Sequence, residues 1–413
     1  MKQNLVEDLI YHGLINQTTF KDPQILNTQK FNFYLGIDPS SDSMTIGNLA
    51  SLMLVARFIQ AGHKGYLLVG GATGLIGDPD ETKKRSLMDK SKIDSNVISI
   101  KKQMHRIMGN ETVEILNNYD WLKNVGYLEF LREIGTHVPL RTMLNRDFVE
   151  KRVDDKNIGL TYAEFSYSLI QGYDYYYLNK TKQVNLQLCG ADQWGNGIAG
   201  VDIIRRITGN EAHILSIPLV INKQTGRKFG KSEDGAIWLS SDKTSVFQFY
   251  QFFINLDDQN IEYYLKIYTF LSKPEIESII KEHQANYAKR IAQKELAYQV
   301  TKIVHGEELA KKAITMSEYL NYEKDISSIS DTELQELSKE LPSIELSQAD
   351  LSDILMSLKL VKSKTEANQL LSSGAIYINN RKVNSLDIDD LKKFKVNIVR
   401  RGKAYKDSAL LIT

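Results

Sequence analysis

Five stretches carry residue types and spacings from which chemistry could be built. The first is Ser43-Met44-Thr45-Ile46-Gly47-Asn48-Leu49, just after the run Phe33-Tyr34-Leu35-Gly36-Ile37-Asp38-Pro39. A helix starting here offers unpaired backbone N–H groups and a partial positive charge, which suit a phosphate. Gly47 is costly in a first helical turn. Either a flat ligand such as adenine approaches it closely, or helix–sheet packing demands it. The second stretch is Gly70-Gly71-Ala72-Thr73-Gly74-Leu75-Ile76-Gly77-Asp78-Pro79. Its glycines let a backbone bend around a ligand, but it has neither G-K-[ST] nor G-x-G-x-x-G. The third is Lys228-Phe229-Gly230-Lys231-Ser232. Two ammonium groups and a hydroxyl could neutralise charge building on a phosphate; a plain surface turn is the competing account. In the fourth, Thr161 to Asp174, helical spacing places Tyr167, Gln171 and Asp174 on one face at i, i+4 and i+7. A phenol, an amide and a carboxylate make an odd core stripe but a suitable pocket for a small zwitterion. The fifth, Cys189-Gly190-Ala191-Asp192-Gln193-Trp194-Gly195-Asn196, adds polar groups after another apolar run.

Regular elements must hold these groups. Phe31–Ile37 predicts a strand, with Ser41, Asp42 and Ser43 as N-cap candidates for a helix over Ile46–Ala61 that Gly62 stops. Gly65–Gly70 predicts a buried parallel strand, which completes a βαβ unit. Val184–Leu188 and Ile214–Val220 extend the sheet. The N-terminal half is therefore α/β and doubly wound, with ligands expected at the carboxyl ends of strands. From Ser245 to about Tyr319 the spacing turns all-helical. Residues 321–350 hold eight acids and two lysines, which predicts a partly helical, solvated linker. Apolar patterning restarts at Leu351. A helix Thr365–Ser372 stopped by Gly374 precedes a hairpin, Ala375 to Ile378, with its turn at Asn379-Asn380.

A chain of 413 residues predicts more than one domain, and 42% hydrophobic residues suffice for real cores. No apolar run approaches the roughly 20 residues of a membrane span. The first residues resemble neither a signal core nor an Arg-rich transit peptide. With the single cysteine, Cys189, this predicts a cytoplasmic protein without an internal disulfide. Seven scattered histidines predict no metal site. Residues 351–413 carry 12 Lys/Arg against 6 Asp/Glu, a net of +6 in a chain of net +1. A basic tail on an acidic body suits a polyanion such as RNA, or is only a solvated basic face. Without a dinucleotide fingerprint, a dehydrogenase is not supported.

Taken in order, these stretches resemble a known family. Class I aminoacyl-tRNA synthetases carry H-I-G-H after the first strand and K-M-S-K-S after the sheet; this chain has T-I-G-N and K-F-G-K-S there. Y-L-G-I-D-P-S-S-D-S, V-G-G-A-T-G-L-I-G-D-P, Y-A-E-F-S-Y, A-D-Q-W-G-N and N-N-Y-D-W are similar to the bacterial-type tyrosyl-tRNA synthetase family, from about residue 4 to the end.

The resemblance implies a Rossmann-like catalytic domain at 1–220 with an inserted dimerisation segment. It implies a mobile loop and an anticodon-binding helical domain at 221–320, the linker at 321–350, and a small α+β RNA-binding domain at 351–413. It implies that Tyr34 and Asp174 hold a tyrosine phenol, Asp78, Tyr167 and Gln171 its ammonium, and that Gln193 lines the same pocket. Gly36, Asp38, Ser40, Gly47 and Asp192 match ATP contacts. Lys83 or Lys84, with Arg85, matches basic residues that meet pyrophosphate, and Lys228, Lys231 and Ser232 match the mobile loop. The implied partners are tRNA, tyrosine and ATP with Mg²⁺, with no metal bound by the protein itself. A homodimer is implied with Tyr162 near its interface, and Arg205 and Arg206 match tRNA contacts.

Thr45 and Asn48 stand where the family has histidines that donate to ATP. Asn48 keeps an N–H of similar reach, whereas Thr45 keeps a donor on a shorter stem. Losing such a donor outright costs roughly 2.7–4 kcal/mol. The expectation is an active enzyme with a slower activation step. The alternative is an RNA-binding paralogue without activity, which predicts loss of Tyr34, Asp174 or the cationic loop. A tryptophanyl-type enzyme would not need Tyr34 opposite Asp174.

Overall fold

In the computed structural model the order in which strands are added to the main sheet reverses, and that reversal creates the site. The described residues are 4–79, 87–109, 112–144, 149, 152, 159–222, 226, 229–232, 235–346, 350–383, 388–402 and 407–413. Lys83, Lys84, Arg85 and Lys228 lie outside them, as do the side chains of Lys231 and Ser232. The chain forms two units, Met1–Thr244 with Leu256–Leu296, and Ser245–Asn255 with Ala297–Thr413.

In the first unit the sheet runs β1 (Gln17–Thr18), β6 (His213–Ile217), β5 (Leu186–Gly190), β2 (Asn32–Ile37), β3 (Lys64–Val69), β4 (Glu114–Asn117). β1 is an antiparallel edge and the other pairings are parallel. A separate two-stranded ribbon pairs β7 (Lys231–Ser232) with β8 (Gly235–Ala236). β3 is apolar without alternation from Tyr66 onward because both of its faces are covered. The chain leaves β2 to one side for β3 and β4, and returns on the other for β5 and β6. The crevice between the carboxyl ends of β2 and β5 is thus the switch point where such sheets bind ligands.

Helix Ile46–Gln60 joins β2 to β3 and buries Leu49, Met53, Leu54 and Phe58. Its N-cap is Thr45, not Ser41, Asp42 or Ser43. Those three are committed elsewhere: Asp42 pairs with Lys243, Ser41 Oγ donates to Asp42 Oδ1 at 3.0 Å, and Ser43 Oγ accepts the Ser240 N–H at 3.0 Å.

Helix Tyr162–Lys182 starts with a capping box between Thr161 and Glu164. Glu164 also binds the buried Arg152 at 2.9 Å. This helix packs closely on helix Trp194–Thr208: a Cβ on Gly200 would come within 2.8 Å of Tyr175 Cδ1, and one on Gly172 within 2.7 Å of Ile203 Cδ1. Small residues on both helices bring the backbones together and fix the Tyr167–Asp174 face relative to Asp192 and Gln193.

The second unit holds a sheet in the order β11 (Arg381–Lys382), β10 (Ile376–Ile378), β12 (Val396–Arg401), β13 (Ser408–Ile412), β9 (Ser343–Glu345). Val396, Ile398 and Leu410 face a core with Tyr319, Leu334 and Leu337. Val399, Ala409 and Leu411 face the opposite core with Leu355, Ala367 and Ile376. This is the period-two alternation of strands buried on both sides. The expected hairpin is present, with Asn379 and Asn380 both at positive φ as a tight two-residue turn requires. The acidic stretch is more than a solvated linker. Helix Asp331–Glu340 buries Leu334 and Leu337 in the core, and β9 pairs with β13. Four of the stretch's eight acids, Asp331, Glu333, Glu336 and Glu340, lie unburied on this amphipathic helix, so composition alone hid the buried leucines.

Candidate active site

A cavity of about 630 Å³ opens at the carboxyl ends of β2 and β5. It is lined by Tyr34, Gly36, Asp38, Ser40, Thr45, Gly47 and Asn48 from β2 and the helix that follows it. The glycine loop contributes Asp78, helix Tyr162–Lys182 contributes Tyr167, Gln171 and Asp174, and the segment after β5 contributes Asp192 and Gln193. The predicted ligand residues of the catalytic half thus converge wherever their side chains are described. Arg205 and Arg206 do not join them. They are exposed near the end of helix Trp194–Thr208, where Arg205 pairs with Asp202 at 2.7 Å.

At one end of the cavity sits Asp174, 2% exposed. Its Oδ2 accepts from Asn118 Nδ2 at 2.9 Å and its Oδ1 from Trp121 Nε1 at 2.8 Å. Burial pushes its carboxyl up to about 7, against the pull of those two donors. Tyr34 is equally buried, and its hydroxyl has no partner among the described residues. Burial, then the nearby Asp174 charge, holds that phenol well above its ordinary range and so neutral. An orphaned buried hydroxyl costs about 1–3 kcal/mol. A ligand phenol would relieve it by accepting from Tyr34 and donating to Asp174.

The middle of the cavity is acidic. Asp38 accepts from Tyr167 Oη at 2.8 Å and from Thr73 Oγ1 at 2.7 Å. Asp78 accepts from Gln193 Nε2 at 2.8 Å, and Asn196 donates to Gln193 Oε1 at 3.1 Å. A Cβ on Gly70 would fall 2.0 Å from Asp38 Oδ1, so glycine there is what admits the carboxylate. Two carboxylates oriented by hydroxyl and amide donors suit an ammonium.

The far end is the start of helix Ile46–Gln60. Thr45 N–H and Thr45 Oγ1 both donate to Asn48 Oδ1, at 2.9 and 3.1 Å. A Cβ on Gly47 would meet only Thr45 Oγ1, at 3.6 Å. Packing therefore does not demand this glycine, and it faces the cavity. The backbone of 237–239 clamps the motif: Ile46 N–H donates to Ile237 O at 3.1 Å and Leu239 N–H to Met44 O at 2.9 Å. Phe229 anchors the K-F-G-K-S segment by stacking on Tyr264 at 4.1 Å. A Cβ on Gly230 would meet Ile46 Cγ2 at 2.1 Å.

Sequence reasoning missed Thr73, Asn118, Trp121 and Gln187. The first two tie the glycine loop to Asp174, since Asn118 Nδ2 also reaches Thr73 Oγ1 at 3.0 Å. Gln187 lies beside Tyr34 in the sheet register, its buried Oε1 without a partner among the described residues. N-N-Y-D-W was the available signal, but nothing local says which of its residues turns inward.

The sequence pattern of the family described as tRNA synthetases class I (W and Y) matches residues 26–320. The chain belongs to this family. A further pattern, a tyrosine–tRNA ligase SYY-like C-terminal domain, matches residues 333–406. That match begins within the helix that packs on the tail sheet. The tyrosine–tRNA ligase of Geobacillus kaustophilus is 41% identical, covering 97% of this chain and 98% of that protein. The enzyme of the same description from Streptococcus suis is 39% identical over the same shares. Among solved structures, a C-terminally truncated mitochondrial tyrosyl-tRNA synthetase of Aspergillus nidulans superposes with a TM-score of 0.69 at 29% identity, covering 77% of this chain and 94% of that one. In this class I synthetase chain, Ile46 of T-I-G-N lies against Gly230 of K-F-G-K-S.

One prediction follows from Asp174. A raised carboxyl pKa means the folded, unliganded protein holds a proton that the unfolded chain, with an ordinary carboxyl, releases at lower pH. The stability tied to this group is therefore full below about pH 4 and is lost as pH rises through about 7. A ligand phenol that donates to Asp174 needs the ionised form, so tyrosine binding tightens as pH rises from 6 to 8. Calorimetric titration at pH 6.5 in buffers of different ionisation heat should show proton release on binding. Proton uptake would contradict it.

Proposed function

We infer that this chain is a tyrosine–tRNA ligase. The observation that carries the reading is the orphaned Tyr34 hydroxyl beside the doubly supported Asp174 in the cavity at the switch point. That pair accepts a phenol; phenylalanine would leave it unpaired, and an indole, which has no acceptor, would leave Tyr34 unpaired.

The tyrosine ammonium is held by Asp78, Tyr167 and Gln171, with Gln193 bracing Asp78. ATP enters with its magnesium ion as substrate, over Gly36, Asp38, Ser40, Gly47 and Asp192. The substrate carboxylate attacks the α-phosphorus in line, the bond to the bridging oxygen breaks, and pyrophosphate leaves. The terminal ribose hydroxyl of the tRNA then attacks the acyl carbon of the adenylate, AMP leaves with the bonding pair, and the hydroxyl proton is released to solvent. Neither step needs a covalent enzyme intermediate. The protein positions the reactants and stabilises charge on the phosphates, in which Lys228, Lys231, Ser232 and Arg85 share. Charging of tRNA(Tyr) with labelled tyrosine tests the reading; a protein that binds the tRNA but never charges it would refute it.

The tail cations fall into two sets. Arg400 is buried and donates to Leu320 O and to Ser408 Oγ, Arg401 pairs with Glu366 and Asp407, and Lys364 pairs with Asp353. Lys359, Lys362, Arg381 and Lys382 are exposed without such pairs among the described residues, and we assign tRNA phosphate contacts to them. Lys362→Glu with Arg381→Glu should raise the KM for tRNA about 10-fold or more, leave tyrosine activation unchanged and flatten the salt dependence of binding. Arg400→Ala should instead lower the unfolding temperature. Equal effects of both on tRNA binding would contradict this division.

Tyr127, Leu128, Leu140 and Tyr162 are exposed at 61, 79, 61 and 62%, with the Tyr127 and Tyr162 hydroxyls 3.1 Å apart. This apolar group suits the two-fold interface of a homodimer, which sedimentation equilibrium would detect. Among the described residues no helix is long and apolar enough to cross a membrane.

A further inference from the structure

The two residues that replace the histidine pair do not act in parallel. Thr45 spends both of its donors, the backbone N–H at 2.9 Å and the hydroxyl at 3.1 Å, on a single acceptor, Asn48 Oδ1. This has two consequences. The Thr45 hydroxyl proton is committed within the protein rather than offered to the cavity. The Asn48 amide has only one sensible orientation, because turning it over would set Nδ2 against the Thr45 backbone N–H, a donor that cannot turn away. With Oδ1 fixed, Nδ2 carries the remaining N–H groups. It has no protein partner among the described residues, and Asn48 lines the cavity. Thr45 is itself immobilised by the pairing of Met44 and Ile46 with Leu239 and Ile237 on either side of its bridge to Trp238. A rigid backbone N–H thus sets which way the amide faces, and the hydroxyl holds it there with a second bond.

We propose that Thr45 is a positioning residue that locks the Asn48 amide, and that Asn48 Nδ2 alone of the pair donates to an acceptor oxygen of the bound nucleotide. The proposal rests on the tyrosine–tRNA ligase reading. It reverses the simple expectation that restoring a histidine at position 45 helps. An imidazole there removes the hydroxyl that fixes Asn48 and supplies no replacement for it, so Thr45→His slows activation.

The test is a double-mutant cycle on the full chain, read by tyrosine-dependent ATP–pyrophosphate exchange and single-turnover adenylate formation. Asn48→Ala should lower kcat/KM for ATP about 10- to 100-fold. Thr45→Val, which keeps shape and backbone but loses the hydroxyl, should lower it about 3- to 10-fold by itself. On the Asn48→Ala background Thr45→Val should do nothing further, because there is no amide left to orient. Thr45→Ser should retain activity. Asn48→Asp keeps both Thr45 bonds but lacks Nδ2, so it should fold normally and still lose activation. Tyrosine binding, measured by equilibrium dialysis, should not change in any of these variants, which separates the effect from misfolding. Additive losses in the cycle, or a gain in rate with Thr45→His, would overturn the proposal and place Thr45 directly on the nucleotide. A parent protein without exchange would overturn the ligase reading and this inference with it. Exchange in the parent with an additive cycle would overturn the inference alone.

Discussion

Asp174→Ala should lower kcat/KM for tyrosine by about 10- to 100-fold while leaving the weak reaction with phenylalanine nearly unchanged. The substitution removes the acceptor of Asn118 Nδ2, of Trp121 Nε1 and of the substrate phenol. Asn118 and Trp121 lose their partner with or without substrate, so they lower stability; only the phenol loses its partner on binding, at about 1–3 kcal/mol. At about 1.4 kcal/mol per factor of ten this is a loss of roughly one to two orders of magnitude. Phenylalanine never used the acceptor, so the preference for tyrosine collapses with the rate. Exchange kinetics with both amino acids measure this directly. A preference that survives Asp174→Ala would mean that selectivity lies elsewhere in the cavity.

Gly47→Leu should separate nucleotide binding from every other property. A Cβ at this position would meet only Thr45 Oγ1, at 3.6 Å, and the cavity lies beyond it. Gly47 does not adopt a positive φ, so leucine is conformationally allowed. Helix propensity favours leucine over glycine by roughly 0.5–1 kcal/mol. The variant should therefore be as stable as the parent or slightly more so and should bind tyrosine normally. Its KM for ATP should rise at least about 100-fold, because the side chain occupies the place of the base. Thermal unfolding, tyrosine dialysis and exchange kinetics together check this. A destabilised protein with unchanged ATP affinity would return Gly47 to a packing role.

The parallel sheet, its first βαβ unit and the polar face of helix Tyr162–Lys182 were legible because hydrophobic period and glycine stops report local geometry. The tail hairpin was legible for the same reason, through Asn379-Asn380. Three things were not. Cap preference is a local statistic, and it points to Ser41, Asp42 and Ser43. The choice of Thr45 depends on Lys243, Gln103 and Ser240 engaging residues of that run. The acidic segment reads as a linker because eight acids outweigh a few leucines in composition, whereas Leu334 and Leu337 are buried by strands some 60 residues later. Arg400 reads as a surface cation, yet it lies inward on β12, where only the fold shows its partners. In the site, Tyr34 and Asp174 are 140 positions apart, and no spacing rule joins them. Only the family resemblance links the two in the sequence.

The most direct test of the account is ATP–pyrophosphate exchange by the unmodified chain with tyrosine, phenylalanine and tryptophan offered separately. The account predicts exchange with tyrosine at least about 100-fold faster than with either of the others. No exchange with any of them, or faster exchange with tryptophan, would contradict it.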